Sequence, residues 1–195
     1  VHQYKAQSPQ PPLRHGKHAG FTLLEMMVAV TVLLIGLMVA VPSFQSLNVD
    51  SALTSDAQRM TSLINYARTE AIKLNRYVVI CNTSNGTSCS TDTDAWKGWL
   101  IGEERAGQLA RVLQSGTFAK GTQVKLHGLK DRTLYSQLYI TPLGFMRNGS
   151  KLPLSMQMFI CLPSKNTSNR RKLELHTGGR IVTTIDNGGE TCSNA

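Results

Sequence analysis

Acidic residues are scarce: 12 Asp and Glu stand against 21 Lys and Arg in 195 residues, leaving a formal charge of +9. Polyanions such as nucleic acid, anionic lipid headgroups or acidic glycans are therefore the favoured non-specific partners, and charge alone does not choose among them. Cysteine is limited to Cys81, Cys89, Cys161 and Cys192, with no C-x-x-C pair. Their nearest histidine, His176, has no second histidine beside it, so no zinc site is expected. The chain also lacks G-x-S-x-G, H-E-x-x-H and a P-loop, and no paired-carboxylate spacing in it makes a case for acid–base catalysis. Without a nucleophile, metal or phosphate motif it reads as no enzyme and as needing no cofactor. Internal repeats and low-complexity linkers are missing too. Apolar content of 41% with seven scattered prolines excludes wholesale disorder, a collagen-like chain or a heptad fibre, and suits one modest domain with a short appendage.

The appendage dominates the start of the chain. Phe21 to Val41 reads FTLLEMMVAVTVLLIGLMVAV, a run with one charge. At about 1.5 Å per residue such a run spans the roughly 30 Å hydrocarbon core of a bilayer. The preceding segment carries Lys5, Arg14 and Lys17 and no acid, so the positive-inside rule places the N-terminus in the cytoplasm and everything after Pro42 outside the inner membrane. In a bacterium that is the periplasm, where disulfides persist. Of the three connectivities that four cysteines allow, Cys81 with Cys89 and Cys161 with Cys192 is preferred.

Secretory signal peptides place the apolar run before the cleavage site. Here Gly20 precedes it, so cleavage between Gly20 and Phe21 would remove a basic leader and leave the apolar helix on the mature chain. Glu25 lies inside that helix, where an acid costs about 2.5 to 3.5 kcal/mol and needs a partner. The new amine of Phe21 is a cation that this carboxylate could neutralise. Pro42 removes a backbone donor, so a bend or local melting is expected there.

Gly20-Phe21-Thr22-Leu23-Leu24-Glu25, the apolar run and Pro42 together resemble the N-terminus of type IV pilins and type II secretion pseudopilins. The resemblance implies that prepilin peptidase cuts after Gly20 and that Phe21 is N-methylated by a methyltransferase. It also implies that Glu25 docks onto a neighbouring subunit's N-terminus and that Pro42 is the kinking proline.

Beyond Pro42, Leu53, Met60, Leu63, Ile64, Ala67, Ala71 and Ile72 recur at helical spacing, with Asp56, Arg59, Arg68, Glu70 and Lys73 on other faces. The helix should end near Asn75 or Arg76. Strands are expected at Tyr77 to Asn82, Trp96 to Ile101, Ala110 to Gln114, Gln123 to His127, Leu134 to Thr141, Met156 to Leu162, Lys172 to His176 and Arg180 to Ile185. Turns are expected at Asn85-Gly86, Arg147-Asn148-Gly149 and Gly178-Gly179. The fold class is α+β, one long helix packed on a mostly antiparallel sheet. The expected organisation is a leader over 1–20, a transmembrane half-helix over 21–42, an amphipathic half-helix over 43–76 and a β-rich periplasmic domain over 77–195. Trp96 and Trp99, three apart, should face opposite ways on a regular strand, one in the core and one near an edge. His127 and His176 read as ordinary histidines.

Ala67-Arg68-Thr69-Glu70-Ala71-Ile72, Val78-Val79-Ile80-Cys81, Trp96-Lys97-Gly98-Trp99 and Gly178-Gly179-Arg180 are similar to the FimT, FimU and GspH group of minor pilins and pseudopilins. This implies a single-pass inner-membrane precursor that joins other minor and major pilins to initiate or cap a type IV pilus. The rival reading is a GspH-like minor pseudopilin of type II secretion. A third is a minor pilin that binds double-stranded DNA. The residues after Pro42 carry a net +7, with Lys165, Arg170, Arg171, Lys172 and Arg180 close in sequence and Glu174 as the opposing acid. FimT-like proteins are associated with DNA through Gly-Arg-x-Arg; here Gly179-Arg180-Ile181-Val182 keeps only the first arginine.

Overall fold

The computed structural model describes residues 20–165 and 168–193, and for 39–45 the helical backbone alone. The basic leader expected over 1–20 thus lies outside the described residues, apart from Gly20. Helix α1 runs Leu23–Leu74. The chain forms two compact units, one ending at Pro42 and the other running from Ser43.

In the first unit every described side chain from Phe21 to Met38 is exposed. Among the described residues no helix is long and apolar enough to cross a membrane. The last residues of the apolar run, Val39 to Val41, and Pro42 itself fall where side chains are not described.

In the second unit α1 ends in a paired-hydrogen-bond cap. Asn75 takes the left-handed conformation, at φ 52°. Its N–H donates to the Ile72 carbonyl at 3.2 Å and the Arg76 N–H to the Ala71 carbonyl at 3.2 Å. This satisfies carbonyls that a helix end otherwise leaves orphaned. Ten strands follow, β1 Tyr77–Asn82, β2 Gly98–Arg105, β3 Gln108–Thr117, β4 Gln123–Gly128, β5 Leu134–Tyr135, β6 Gln137–Ile140, β7 Met146–Arg147, β8 Met156–Cys161, β9 Arg170–Leu175 and β10 Ile181–Asp186. They pair antiparallel throughout, in two five-stranded sheets of order β3-β2-β1-β6-β7 and β10-β9-β8-β4-β5.

The sequence suggested one sheet, and the segment Leu134 to Thr141 explains the difference. Tyr135 pairs with Leu126 in β4 while Gln137 pairs with Cys81 in β1, so the chain changes sheets at Ser136. Strand β7 was not anticipated, being two residues long. The core joins Leu53, Ala57, Met60, Leu63, Ile64, Ala67 and Ala71 of the helix to the inner faces of both sheets. Fully burying a Leu, Ile or Met side chain contributes about 1.5 to 3 kcal/mol, so this stripe is what holds α1 on the sheets.

Three expectations need correction. Ile72 is 53% exposed, since it follows Ala71, the last residue of the buried stripe, and lies off that face of the helix. Asp56 is buried because its carboxylate accepts the Ala119 N–H at 3.1 Å and the Thr122 hydroxyl at 3.2 Å, tying α1 to the β3–β4 loop. Both tryptophans are in the core. Trp96 precedes β2, so strand alternation does not govern it, and its Nε1–H donates to the Tyr135 carbonyl at 3.2 Å. Trp99 pairs across the ladder with Gly116, where a Cβ would come within 2.6 Å of its ring.

Two disulfides close, Cys81–Cys89 and Cys161–Cys192, the pairing preferred from sequence. The second ties the C-terminal segment to the end of β8. Buried Asn169 reinforces it, donating to the Gly189 carbonyl at 2.7 Å and accepting the Gly188 N–H at 2.9 Å.

Candidate assembly and anion-binding sites

At the N-terminus, Thr22 precedes the first helical residue and its hydroxyl accepts the Glu25 N–H at 3.2 Å. Thr22 and Glu25 therefore have the spacing of a capping box, and a carboxylate in the first turn is favoured by the helix dipole. Glu25 is exposed along with the apolar side chains around it, Phe21 at 75% and Leu24 at 74% among them. A large apolar face of this kind marks a surface made for burial in lipid or against other subunits.

The C-terminal basic group does not form one face. Successive residues of a strand point to opposite sides. Arg171 turns toward α1, its side chain 3% exposed, and pairs with Asp50, with further bonds to the Thr54 hydroxyl at 3.2 Å and the Ser168 carbonyl at 2.9 Å. Arg170 lies on the other side, 9% exposed, paired with Asp186 and stacked 4.7 Å over the Phe159 ring. Lys172 pairs with Glu174 at 3.0 Å. Glu174 is thus not the sole opposing acid: Asp50 and Asp186 take the two arginines. Lys165 and Arg180 remain exposed. Arg180 follows Gly179, whose φ of 90° makes the β9–β10 turn and whose missing Cβ leaves room for the Arg68 guanidinium.

His127 packs edge-on against Phe159 at 5.3 Å between ring centres. Burial holds its pKa below the ordinary value, with Lys125, Arg132 and Arg170 adding to the effect and a backbone hydrogen bond to Arg132 opposing it. His176 stands 4.0 Å from Glu174. Among the described residues no group of His, Cys, Asp and Glu could hold a metal ion.

A second basic cluster escaped the sequence reading. Glu103, with a side chain only 4% exposed, is approached by Arg105 at 2.8 Å, Arg76 at 3.4 Å and Arg111 at 3.6 Å. The hydrogen bond from Arg105 is the largest cause holding the Glu103 carboxyl below the usual carboxylate range, with the charges of all three arginines assisting and burial opposing. Such a group contributes stability that is fully present above the unfolded carboxylate value, near 4.5, and is lost as pH falls through the lower folded value. Thermal midpoints should accordingly fall on acidification below about pH 4.5, and less steeply in Glu103→Gln. Identical slopes in the two proteins would contradict the pairing.

A long helix whose start is apolar and capped by Thr22, carrying two antiparallel sheets, has the architecture of an α+β pilin fold. The model of the family described as type II transport protein GspH matches residues 56–179, and the prokaryotic N-terminal methylation motif matches residues 16–41. The chain belongs to the GspH family and is a minor pilin or pseudopilin of the GspH/FimU type. Among solved structures, the type IV minor pilin FimU of Pseudomonas aeruginosa PAO1 in its P21 crystal form matches with a TM-score of 0.51 at 23% identity, over 73% of this chain and 96% of that one. The minor pseudopilin EpsH of the type II secretion system of Vibrio cholerae matches at 0.47 and 13%, over 69% and 97%. At these identities the likeness is one of fold. No curated protein matches the sequence.

Proposed function

We propose that this chain is a minor pilin of a type IV pilus, anchored in the inner membrane by the helix from Phe21, with the unit from Ser43 in the periplasm, and working in the initiating or tip complex. The observation that carries the reading is the apolar, exposed helix start with Glu25 in its first turn, inside the span of the methylation motif. Gly20 and Phe21 then serve prepilin peptidase and the N-methyltransferase as substrate. Glu25 sets register with a neighbouring subunit, and the sheet surfaces choose the partner pilins. The two disulfides and the basic domain favour the pilus over the type II secretion pseudopilus, the rival assembly. The test is which assembly contains the processed chain.

Binding of double-stranded DNA is a second reading, favoured by the exposed Arg180 at the β9–β10 turn. Phosphate contacts of this kind are independent of sequence and sensitive to salt. Arg180→Gln should weaken duplex binding uniformly across sequences and lower the salt slope by about one contact. An electrophoretic mobility shift across a salt series checks this, and an unchanged slope would remove Arg180 from the interface.

A further inference from the structure

The cap at Asn75 turns the chain out of α1 and directs Arg76 to the β2–β3 hairpin. That hairpin closes through Ala106 and Gly107, both at positive φ, which suits the tight turn. Its register sets Glu103 opposite Arg111, with Arg105 two residues further along β2. Three guanidinium groups, one from the helix cap and one from each strand of the hairpin, therefore meet around a single carboxylate.

The charges and the donors do not balance. One carboxylate against three arginines leaves the cluster at +2. Each arginine approaches Glu103 through its Nε, and only Arg105 is at good hydrogen-bond distance. A guanidinium has five N–H donors. Among the described residues no other carboxylate or carbonyl accepts from these three, and the adjacent Glu104 is engaged with Lys151 and the Gly107 N–H. The three side chains are 48%, 58% and 59% exposed, so their unspent donors face a cleft of about 510 Å³ lined by Leu74, Arg76, Glu103, Arg105, Ala110 and Arg111. A neighbouring depression of about 410 Å³ shares Arg76 and Arg105 and reaches Lys151.

The fold itself gains little from the second and third arginine. Exposed ion pairs contribute little to stability, and like charges at this spacing repel. The cap engages two of the helix-end carbonyls that would oppose an anion, those of Ala71 and Ile72. We propose that Arg76, Arg105 and Arg111, gathered around Glu103, form an oxyanion-binding cleft that takes phosphoryl groups. Planar guanidinium forks match phosphoryl oxygens in pairs, and the surplus of two positive charges matches a doubly charged group. The phosphoryl group comes either from a soluble phosphate or from the backbone of a nucleic acid. No residue of the C-terminal turn bearing Arg180 lines the site, and the proposal does not depend on whether the assembly is a pilus or a pseudopilus.

The full chain in non-ionic detergent is titrated with inorganic pyrophosphate and, separately, with a short DNA duplex and with polyglutamate. The variants are Arg76→Gln with Arg111→Gln, which leaves the close Arg105–Glu103 contact in place; a triple Arg→Lys variant at 76, 105 and 111, which keeps charge and loses the forks; and Arg180→Gln. Pyrophosphate or duplex binding should weaken by about tenfold or more in the double Gln variant and by less in the Lys variant. Arg180→Gln should leave pyrophosphate binding unchanged, so that failure of the DNA reading at the C-terminal turn is distinguished from failure here. Loss confined to pyrophosphate identifies a soluble phosphate, and a matching loss with the duplex identifies nucleic acid. The proposal is overturned if neither phosphoryl probe binds the folded wild type. It is equally overturned if a double Gln variant of wild-type thermal midpoint binds them undiminished, or if polyglutamate binds more tightly than both.

Discussion

Glu25→Ala should leave cleavage after Gly20 intact and keep the chain out of filaments. Two roles for this side chain are open to comparison. As a first-turn acid beside Thr22 it supports the helix start, which is worth about 0.3 to 1 kcal/mol through the dipole. As a charge in an apolar environment it costs about 2.5 to 3.5 kcal/mol to place, a cost that only a partner cation offsets. On the proposed function the amine released at Phe21 would be that cation, and each subunit that docks would gain its neutralisation. Losing a helix start would slow assembly at most, whereas losing the pairing charge would remove the term that makes docking favourable. Glu25→Gln separates the two, because it keeps hydrogen-bonding capacity and loses charge. Immunoblots of membrane and sheared-filament fractions should show both variants processed and both missing from filaments. Normal incorporation of the alanine variant would count against the pairing role, and rescue by glutamine would assign Glu25 to the helix start.

The second large effect is on folding. Cys161 and Cys192 are 31 residues apart, against 8 for Cys81 and Cys89. On the chain-entropy account, replacing the first pair by serine should cost about 3 to 4 kcal/mol and the second about 2 to 3 kcal/mol. The longer bridge also holds the segment that Asn169 binds through Gly188 and Gly189, so its loss frees the end of the chain as well as widening the unfolded ensemble. Urea unfolding followed by circular dichroism reads both values. A Cys161→Ser, Cys192→Ser variant within about 0.5 kcal/mol of wild type would contradict the account.

The same comparison of near and distant partners explains what could be read from the sequence. The stripe from Leu53 to Ala71 was legible because one face of a helix is buried along its length, and Tyr77–Asn82 was legible as a run of β-branched residues at a helix end. Asp56 was misread because its partners, Ala119 and Thr122, are more than sixty residues away. Arg171 and Arg170 are tied to Asp50 and Asp186, at separations of 121 and 16, so a local count of charges made them look available. Alternation along β9 then divides that run between two faces. The Glu103 cluster was missed for the converse reason. Its only local signal is Glu103-Glu104-Arg105 leading into Ala106-Gly107, with Arg111 placed by the hairpin register and Arg76 brought in by the helix cap.

Mass spectrometry of sheared, purified pili tests the central claim most directly. The account predicts a peptide that begins at N-methylated Phe21, with no leader attached, at low abundance beside the major pilin. A chain that retains residues before Phe21, or that is missing from pili and recovered instead with the type II secretion pseudopilus, would contradict it.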